Sequence, residues 1–162
     1  MEQLDVYNDQ MQFVGETISR GTPLGKNENI LLSLVYIRNK KGKYLIQKTS
    51  KEKGSVFSTT GGHVVHGEDA LTTIVREIKE ELGLSVSKKG LQHVSTFKYP
   101  NKPCIFHVYL LSVDHIDLKT LNIQQEEVES VRWMNEKEIE QLIQEHLFLE
   151  THGSIFLKYI KK

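Results

Sequence analysis

The 162-residue chain carries 21 basic and 21 acidic side chains, which cancel to a formal charge of zero and argue against binding a nucleic acid polymer through a basic excess. No apolar stretch reaches the roughly 18–20 residues needed to span a membrane, and the acidic start MEQLDVYNDQ lacks the features of a signal peptide. The single cysteine, Cys104, cannot form an internal disulfide, so we expect a cytoplasmic protein folded as one domain over residues 1–162.

The first third of the chain predicts four strands and a loop. Residues 4–7 and 11–15 have strand composition and are separated by polar turn formers, which predicts a hairpin. A nearly continuous apolar run over 30–37 is typical of a central strand that is covered on both faces. After a turn, residues 43–48 predict the next strand. Residues 49–62 show no clear period, which favours a functional loop.

The rest of the chain alternates between helical and strand patterns. An amphipathic helix is predicted at 69–82, where apolar residues recur at steps of four and Gly83 supplies a stop. The remaining predicted elements are a second hairpin at 92–99 and 104–113, a last strand at 127–134, and helices at 136–144 and from about 154 onward. This order favours a mixed α/β (α+β) fold, in which a mixed β-sheet is sandwiched between α-helices.

Three carboxylates fall within five residues of the predicted helix at 69–82. Glu77, Glu80 and Glu81 project to the same side, because spacings of three and four residues return to one face of a helix. Like charges placed in this way repel each other, and a hard divalent cation such as Mg²⁺ or Mn²⁺ would offset the repulsion. The alternative is that the three glutamates only solvate the outer face of the helix.

The spacing around this acidic cluster is specific. Residues Gly62 to Leu84 read GHVVHGEDALTTIVREIKEELGL and match every defined position of G-x5-E-x7-R-E-U-x-E-E-x-G-U, where U is aliphatic. This segment resembles the signature of the Nudix hydrolases, and the predicted order of strands and helices is similar to the Nudix fold over nearly the whole chain. The resemblance implies one Nudix domain with its motif at 62–84.

The resemblance also implies roles for individual residues. Glu77, Glu80 and Glu81 match the glutamates that bind the metal, and the backbone carbonyl of Gly61 matches a further metal ligand. Arg76 matches a residue that orients the glutamates, with Glu68 as its partner.

The reaction implied for such a site is attack of water on a phosphorus of a small-molecule diphosphate. Catalysis would involve Glu77, Glu80, Glu81 and Arg76, while the diphosphate would contact Gly62 and Glu68. Lys48 is a further candidate for substrate binding, because Lys48, Lys51 and Lys53 flank the predicted active-site loop and could attract phosphates; the alternative is that they are ordinary surface lysines. The general base stays open between Glu77 and a second acidic site before the last strand. We favour Glu127 there, with Glu126 as the fallback; the alternative is that both only belong to a solvated turn. The family resemblance makes a homodimer plausible.

Four other residues near these segments have two interpretations. His63 and His66 are unsuited as paired metal ligands, because a spacing of three on a strand directs them to opposite faces, although one could contact phosphate. We expect Cys104 to be buried and Trp133 to belong to the core, although its indole could border a base-binding cleft.

Two other functions are compatible with parts of the sequence. The segments LDVYNDQMQFVGETISRG and TTGGHVVHGE look similar to isopentenyl-diphosphate isomerases and their relatives, but those enzymes use a cysteine near the position of Gly61. A nucleotide-sensing module without turnover would need lost glutamates or an added DNA-binding domain, and the motif is intact. The hydrolase interpretation is therefore favoured.

Overall fold

The computed structural model describes residues 1–162 and contains nine strands and three helices. The strands are β1 (Gln3–Tyr7), β2 (Phe13–Ser19), β3 (Ile30–Arg38), β4 (Tyr44–Thr49), β5 (Phe57–Ser58), β6 (Thr60–His63), β7 (Leu91–Lys98), β8 (Cys104–Ser112) and β9 (Val128–Met134). The helices are α1 (Ala70–Leu82), α2 (Glu136–Gln144) and α3 (Glu150–Ile155), and α3 continues into a wider helical turn over Phe156–Ile160.

The main sheet has seven strands and is built around β3, while β1 and β2 form a separate hairpin. Strand β3 pairs in parallel with β8 along its whole length and antiparallel with β6 on its other edge. It meets β4 only at the turn, where Arg38 faces Tyr44. Beyond that turn β4 pairs with β9 and β5 instead. Strands β3 and β4 therefore diverge as a fork, and residues 57–63 cross from one arm to the other.

Two apolar clusters lie on the two faces of the sheet. One packs the apolar stripe of α1, which includes Ile74 and Ile78, against β3 and its neighbours. The other packs α2 and α3 against the opposite face, where Tyr36, Tyr44 and Phe156 form edge and tilted ring contacts. The prediction of a mixed sheet sandwiched between helices is confirmed. None of the helices is long and apolar enough to cross a membrane.

Helix α1 begins and ends at residues whose chemistry fixes its limits. The side chain of Asp69 accepts a hydrogen bond from the N–H of Thr72 at 2.7 Å, which satisfies one of the free donors of the first turn. Gly83 ends the helix in the left-handed conformation with φ of 70°, which glycine adopts without steric cost. The predicted helix and its stop are confirmed.

Three segment predictions need correction. Strand β2 runs over Phe13–Ser19 and not 11–15, because the turn before it continues through Met11, which has φ of 63°. The predicted loop at 49–62 contains β5 and β6, whose Ser, Thr and Gly residues pair through backbone groups without an apolar alternation. The last helix begins at Glu150 and not near 154.

Candidate active site

The crossing segment at 57–63 brings a free backbone carbonyl to the fork. The N–H of Val64 donates to the carbonyl of Leu31 at 3.0 Å, and hydrogen-bonded pairs alternate along an antiparallel ladder. The register that places Gly61 opposite Leu34 therefore makes this pair a non-hydrogen-bonded one. The N–H and the carbonyl of Gly61 face away from β3, so its carbonyl is available to a ligand.

Helix α1 packs directly over this segment, which explains two glycines in a row. A Cβ atom on Gly62 would overlap the carboxylate of Glu77 and lie 2.9 Å from its Cγ. A Cβ atom on Gly61 would lie 2.9 Å from the backbone carbonyl oxygen of Ser33. The hydroxyl of Ser33 in turn donates to the carbonyl of Ala70 at 2.8 Å, which ties the start of α1 to β3. The glycines therefore allow a motif glutamate to reach the sheet.

Arg76 organises the carboxylates of the motif. Its Nε donates to Glu68 at 3.0 Å, and its Nη2 donates to the same carboxylate at 3.0 Å. Its Nη1 donates to Glu77 and to Glu80, each at 3.1 Å. These bonds lower the pKa of the Glu68 carboxyl and raise that of the Arg76 guanidinium. The predicted Arg76–Glu68 pair is present, and the carboxylate of Glu68 is used within the protein.

Glu77 and Glu81 form a largely buried acidic pair, in which 13% of the Glu77 side chain remains exposed. Glu81 is only 8% exposed, and burial together with the adjacent Glu77 carboxyl raises the pKa of Glu81 well above its ordinary value. Burial also raises the pKa of Glu77, against the opposing effects of Glu81 and Arg76. Two neighbouring carboxylates that are largely removed from solvent need a proton or a cation between them.

The donor set of this pair fits a hard divalent cation. Carboxylate and carbonyl oxygens are the ligands that Mg²⁺ and Mn²⁺ prefer, and Glu77, Glu81 and the carbonyl of Gly61 supply them. Glu80 is directed to Arg76 and its side chain is 47% exposed. No group of three or more His, Cys, Asp or Glu side chains is arranged around a common point. The structure therefore brings together two of the three predicted glutamate ligands, with Glu80 at the margin.

The predicted second acidic site is attached to the end of α1. The backbone N–H groups of Asn122 and Gln124 donate to the carbonyls of Leu82 and Glu81, each at 3.0 Å. At Gly83, a Cβ atom would lie only 2.7 Å from the Cβ of Asn122, so this close approach requires glycine. The end of the helix and the following loop are thus held together by backbone bonds.

This loop delivers Glu127 to the cleft but directs Glu126 elsewhere. The carboxylate of Glu127 lies 3.7 Å from the Nζ of Lys53, and its charge contributes to the raised pKa of Glu81, after burial and Glu77. The carbonyl of Glu126 accepts a bond from the hydroxyl of Ser50, and Glu126 borders a separate surface groove. Of the two candidates, Glu127 is the one next to the buried acidic pair.

A cleft of about 290 Å³ connects these features. Its lining includes the predicted residues Gly61, Gly62, Glu81 and Glu127. The residues of the lining that the sequence did not single out as site residues are Arg20, Leu32, Gln47, Thr49, Val56, Ser58, Thr59, Leu149 and His152. These come from the residue after β2, from β3 and β4, from residues 56–59, and from α3 and the residue before it, so only the tertiary structure assembles them.

Lys48 lies outside this cleft. Its Nζ is 3.5 Å from a carboxylate oxygen of Glu129 and 5.8 Å from the ring centre of Phe57. Lys53, five residues on, lines the cleft. A larger groove of about 410 Å³ lies between the end of β7 and α3 and contains none of the predicted site residues.

The remaining singled-out residues occupy different environments. His63 lines the cleft, and burial together with the nearby Arg20 lowers its pKa to about 4. His66 is exposed and its Nδ1 lies 2.8 Å from Asp5. Cys104 is buried, as predicted. The indole N–H of Trp133 donates to the carbonyl of Ile116 at 3.3 Å, and its ring packs against the cluster under α1.

Comparisons with known proteins agree with this arrangement. Residues 32–154 match the family model described as the NUDIX domain. An uncharacterized Nudix hydrolase of Listeria monocytogenes is 30% identical over 146 residues, which span 88% of this chain and 85% of that protein.

Two solved structures share the fold at lower identity. The crystal structure of DR0079 from Deinococcus radiodurans is 20% identical, superposes with a TM-score of 0.82, and the match covers 99% of this chain and 100% of that one. A bifunctional NMN adenylyltransferase/ADP ribose pyrophosphatase from Francisella tularensis, complexed with AMP and a manganese ion, is 19% identical with a TM-score of 0.64. That match covers 80% of this chain and 41% of the other.

Proposed function

Because the chain belongs to the Nudix hydrolase family, which acts on phosphorus-containing acid anhydrides, we propose that it is a metal-dependent diphosphate hydrolase. Its substrate would be a nucleoside diphosphate linked to another moiety, or a similar diphosphate compound. The observation that carries the proposal is the largely buried pair of Glu77 and Glu81 near the outward-facing carbonyl of Gly61. A buried acidic pair costs free energy unless it binds something positive, and a diphosphate needs a cation to approach it.

The proposed cofactor is Mg²⁺ or Mn²⁺, which Glu77, Glu81 and the Gly61 carbonyl would hold and to which Glu80 could be added. When bound, such an ion neutralises phosphate charge and makes water more acidic. The Francisella tularensis structure holds a manganese ion, and part of that enzyme is an ADP ribose pyrophosphatase. Both facts are consistent with a divalent cation and a diphosphate substrate here.

The side chains of the cleft account for the remaining steps. A water oxygen forms a bond to phosphorus, the bond from that phosphorus to the bridging oxygen breaks, and a carboxylate takes the proton of the water. Glu127 is the base that we favour, because it lies at the cleft with 44% of its side chain exposed and is not part of the buried pair. Glu77 is the alternative. Arg76 acts as a positioning residue that holds Glu77 and Glu80 through Nη1.

The experiment is a phosphate-release assay on a panel of nucleoside diphosphate derivatives and other diphosphates, with Mg²⁺, with Mn²⁺ and with chelator. Glu80→Gln and Glu81→Gln are compared with the control Glu145→Gln. Glu145 lies at the end of α2, where its side chain accepts a hydrogen bond from the side-chain amide of Gln141. We expect metal-dependent turnover that both motif substitutions strongly reduce and the control does not change. Turnover in the presence of excess chelator would contradict the proposal.

The same assay separates the two other functions. The isomerase alternative lacks a thiol at the site, because Cys104 is buried in β8 and does not line the cleft. Conversion of a prenyl diphosphate to its isomer would restore that alternative. Tight binding of a nucleotide without any product from the panel would instead support a sensing role.

A further inference from the structure

His152 occupies the cleft from the side of α3, and its contacts leave one ring nitrogen for a ligand. The backbone N–H of Thr59 donates to Nδ1 of His152 at 3.2 Å. Because a backbone amide can only donate, Nδ1 must be an unprotonated acceptor. A neutral imidazole then carries its proton on Nε2. Burial lowers the pKa of His152 to about 4, which keeps the ring neutral near pH 7.

The remaining donor of this ring has no partner within the protein. Nε2 of His152 makes no hydrogen bond to any other residue. The one buried side-chain polar atom without a partner is Oδ1 of Asn29, so the unpaired Nε2 of His152 is exposed to solvent. Since His152 lines the cleft together with Gly61 and Glu81, the Nε2–H group is accessible from the cleft.

The position of this donor is fixed by three contacts around it. The carbonyl of His152 accepts a bond from the hydroxyl of the fully buried Tyr36 at 2.7 Å. At Gly153, a Cβ atom would lie 3.0 Å from Cγ1 of Ile143, so α3 packs tightly on α2 at this point. Together with the Thr59 bond, these contacts hold both the backbone and the ring. A donor that is held in place before the ligand arrives binds with little loss of side-chain entropy.

Other residues of the cleft indicate which acceptor His152 serves. Arg20 and Lys53, which pair with Glu2 and Glu127, line the same cleft and provide positive charge that favours an oxyanion there. A neutral N–H donor in the same cleft adds a directional bond without adding charge. We propose that His152 binds an oxygen of the substrate diphosphate through its Nε2–H group. This inference rests on the proposed function of the cleft.

Two substitutions separate substrate binding from a purely structural role of His152. Asparagine in His152→Asn places an amide oxygen near the position of Nδ1, so it can still accept from Thr59 but offers no donor at the position of Nε2. Glutamine in His152→Gln can place an amide N–H near the position of Nε2, while its fit to Thr59 is poorer. If His152 only anchors Thr59, asparagine is the better replacement. If His152 binds the substrate, glutamine is the better replacement.

The probe is methylenebisphosphonate, a diphosphate analogue that cannot be hydrolysed, titrated calorimetrically in the presence of Mg²⁺. We expect His152→Asn to weaken its binding by about ten- to hundredfold, as for the loss of one hydrogen bond to a charged group. His152→Gln should retain affinity to within a few-fold, even where its melting temperature is lower than that of His152→Asn. In long-range ¹H–¹⁵N spectra, the Nε2–H tautomer should be present before the probe is added and its resonance should shift afterwards.

The outcomes distinguish the two proposals. If the wild-type protein binds the probe and His152→Asn binds it equally well, His152 is only structural and this inference is wrong, while the proposed function stands. An Nδ1–H tautomer would also overturn the inference. If the wild-type protein neither binds the probe with Mg²⁺ nor hydrolyses any diphosphate, the proposed function fails and this inference fails with it.

Discussion

Helices α1 and α3 each deliver one side chain to the same cleft, Glu81 and His152, but they are positioned by different kinds of interaction. Helix α1 has 13 residues, a side-chain cap at Asp69 and a glycine stop, all within its own segment. Helix α3 has six residues and no side-chain cap at its start. Its position depends on the bond from Tyr36, which lies 116 residues earlier in the chain. Local sequence therefore specifies α1, whereas tertiary contacts specify α3.

The largest effect should follow from Glu81→Gln, which tests whether the acidic pair on α1 serves function and not stability. We expect turnover to fall by about hundredfold or more, because a ligand of the proposed cation is lost. The metal-free protein should be as stable as the wild type or more stable, since a buried carboxylate beside Glu77 is removed. Metal-dependent kinetics and thermal unfolding in chelator measure the two effects. A sharply lower melting temperature would contradict this assignment.

The two adjacent glycines should respond differently to alanine. In Gly62→Ala the new Cβ displaces the flexible side chain of Glu77, so we expect kcat to fall about ten- to hundredfold with little loss of stability. In Gly61→Ala the Cβ meets the backbone of Ser33, which cannot move without separating β3 from β6. We expect this variant to lose about 1–3 kcal/mol of unfolding free energy. Denaturant unfolding and kcat, measured on both variants, should show this contrast. Equal losses of stability would show that Glu77 is not free to move.

The His152 ring should make the protein sensitive to acid. Its pKa is lowered by burial from the ordinary 6.5 to about 4, so the folded state resists protonation that the unfolded state accepts. The contribution of His152 to the free energy of unfolding is therefore fully present above about pH 6.5. It is lost as the pH falls toward 4, because the unfolded state gains a proton that the folded state does not. Because the ring also faces the cleft, we expect the loss to be about 1–2 kcal/mol. His63 has a similar pKa, so the contribution of His152 is the part that disappears in His152→Asn when unfolding free energies at pH 7 and pH 4.5 are compared.

The smallest effect should follow from Lys53→Ala. Lys53 and Glu127 lie 3.7 Å apart with about half of each side chain exposed, and exposed ion pairs contribute roughly 0–1 kcal/mol. We expect unfolding free energy to change by less than about 0.5 kcal/mol and KM to rise a few-fold as one cation leaves the cleft. The rise in KM should shrink at high salt, where the charge is screened. A large loss of kcat would instead make Lys53 part of the reaction.

The sequence predicted the elements that are specified by residues close to one another in the chain. The apolar run at 30–37 identified the central strand, and the stripe on α1 together with Gly83 gave that helix to within one residue. The motif spacing identified Glu77, Glu81 and Arg76, because one helix places them together. The roles of these residues, the homodimer and the cytoplasmic location stay predictions.

The parts that were missed depend on pairing between distant segments. Strands β5 and β6 are short and rich in Ser, Thr and Gly, so their composition resembles a loop, and only pairing with β4 and β3 makes them strands. His152 is separated from Thr59 by 93 residues, and no spacing rule connects them. The signal that could have drawn attention to His152 is the neighbouring Gly153 inside a helix, since such a glycine often marks a close packing contact.

The close contact between Gly83 and Asn122 limits where insertions and deletions are tolerated in this enzyme. The backbone bonds from Asn122 and Gln124 use carbonyls of the last turn of α1 that would otherwise be left to water. A shift of residues 122–127 by one position would break both bonds and carry Glu127 out of the cleft. Insertions and deletions should therefore be tolerated in 114–121, before Asn122, while the number of residues from Asn122 to Glu127 stays constant.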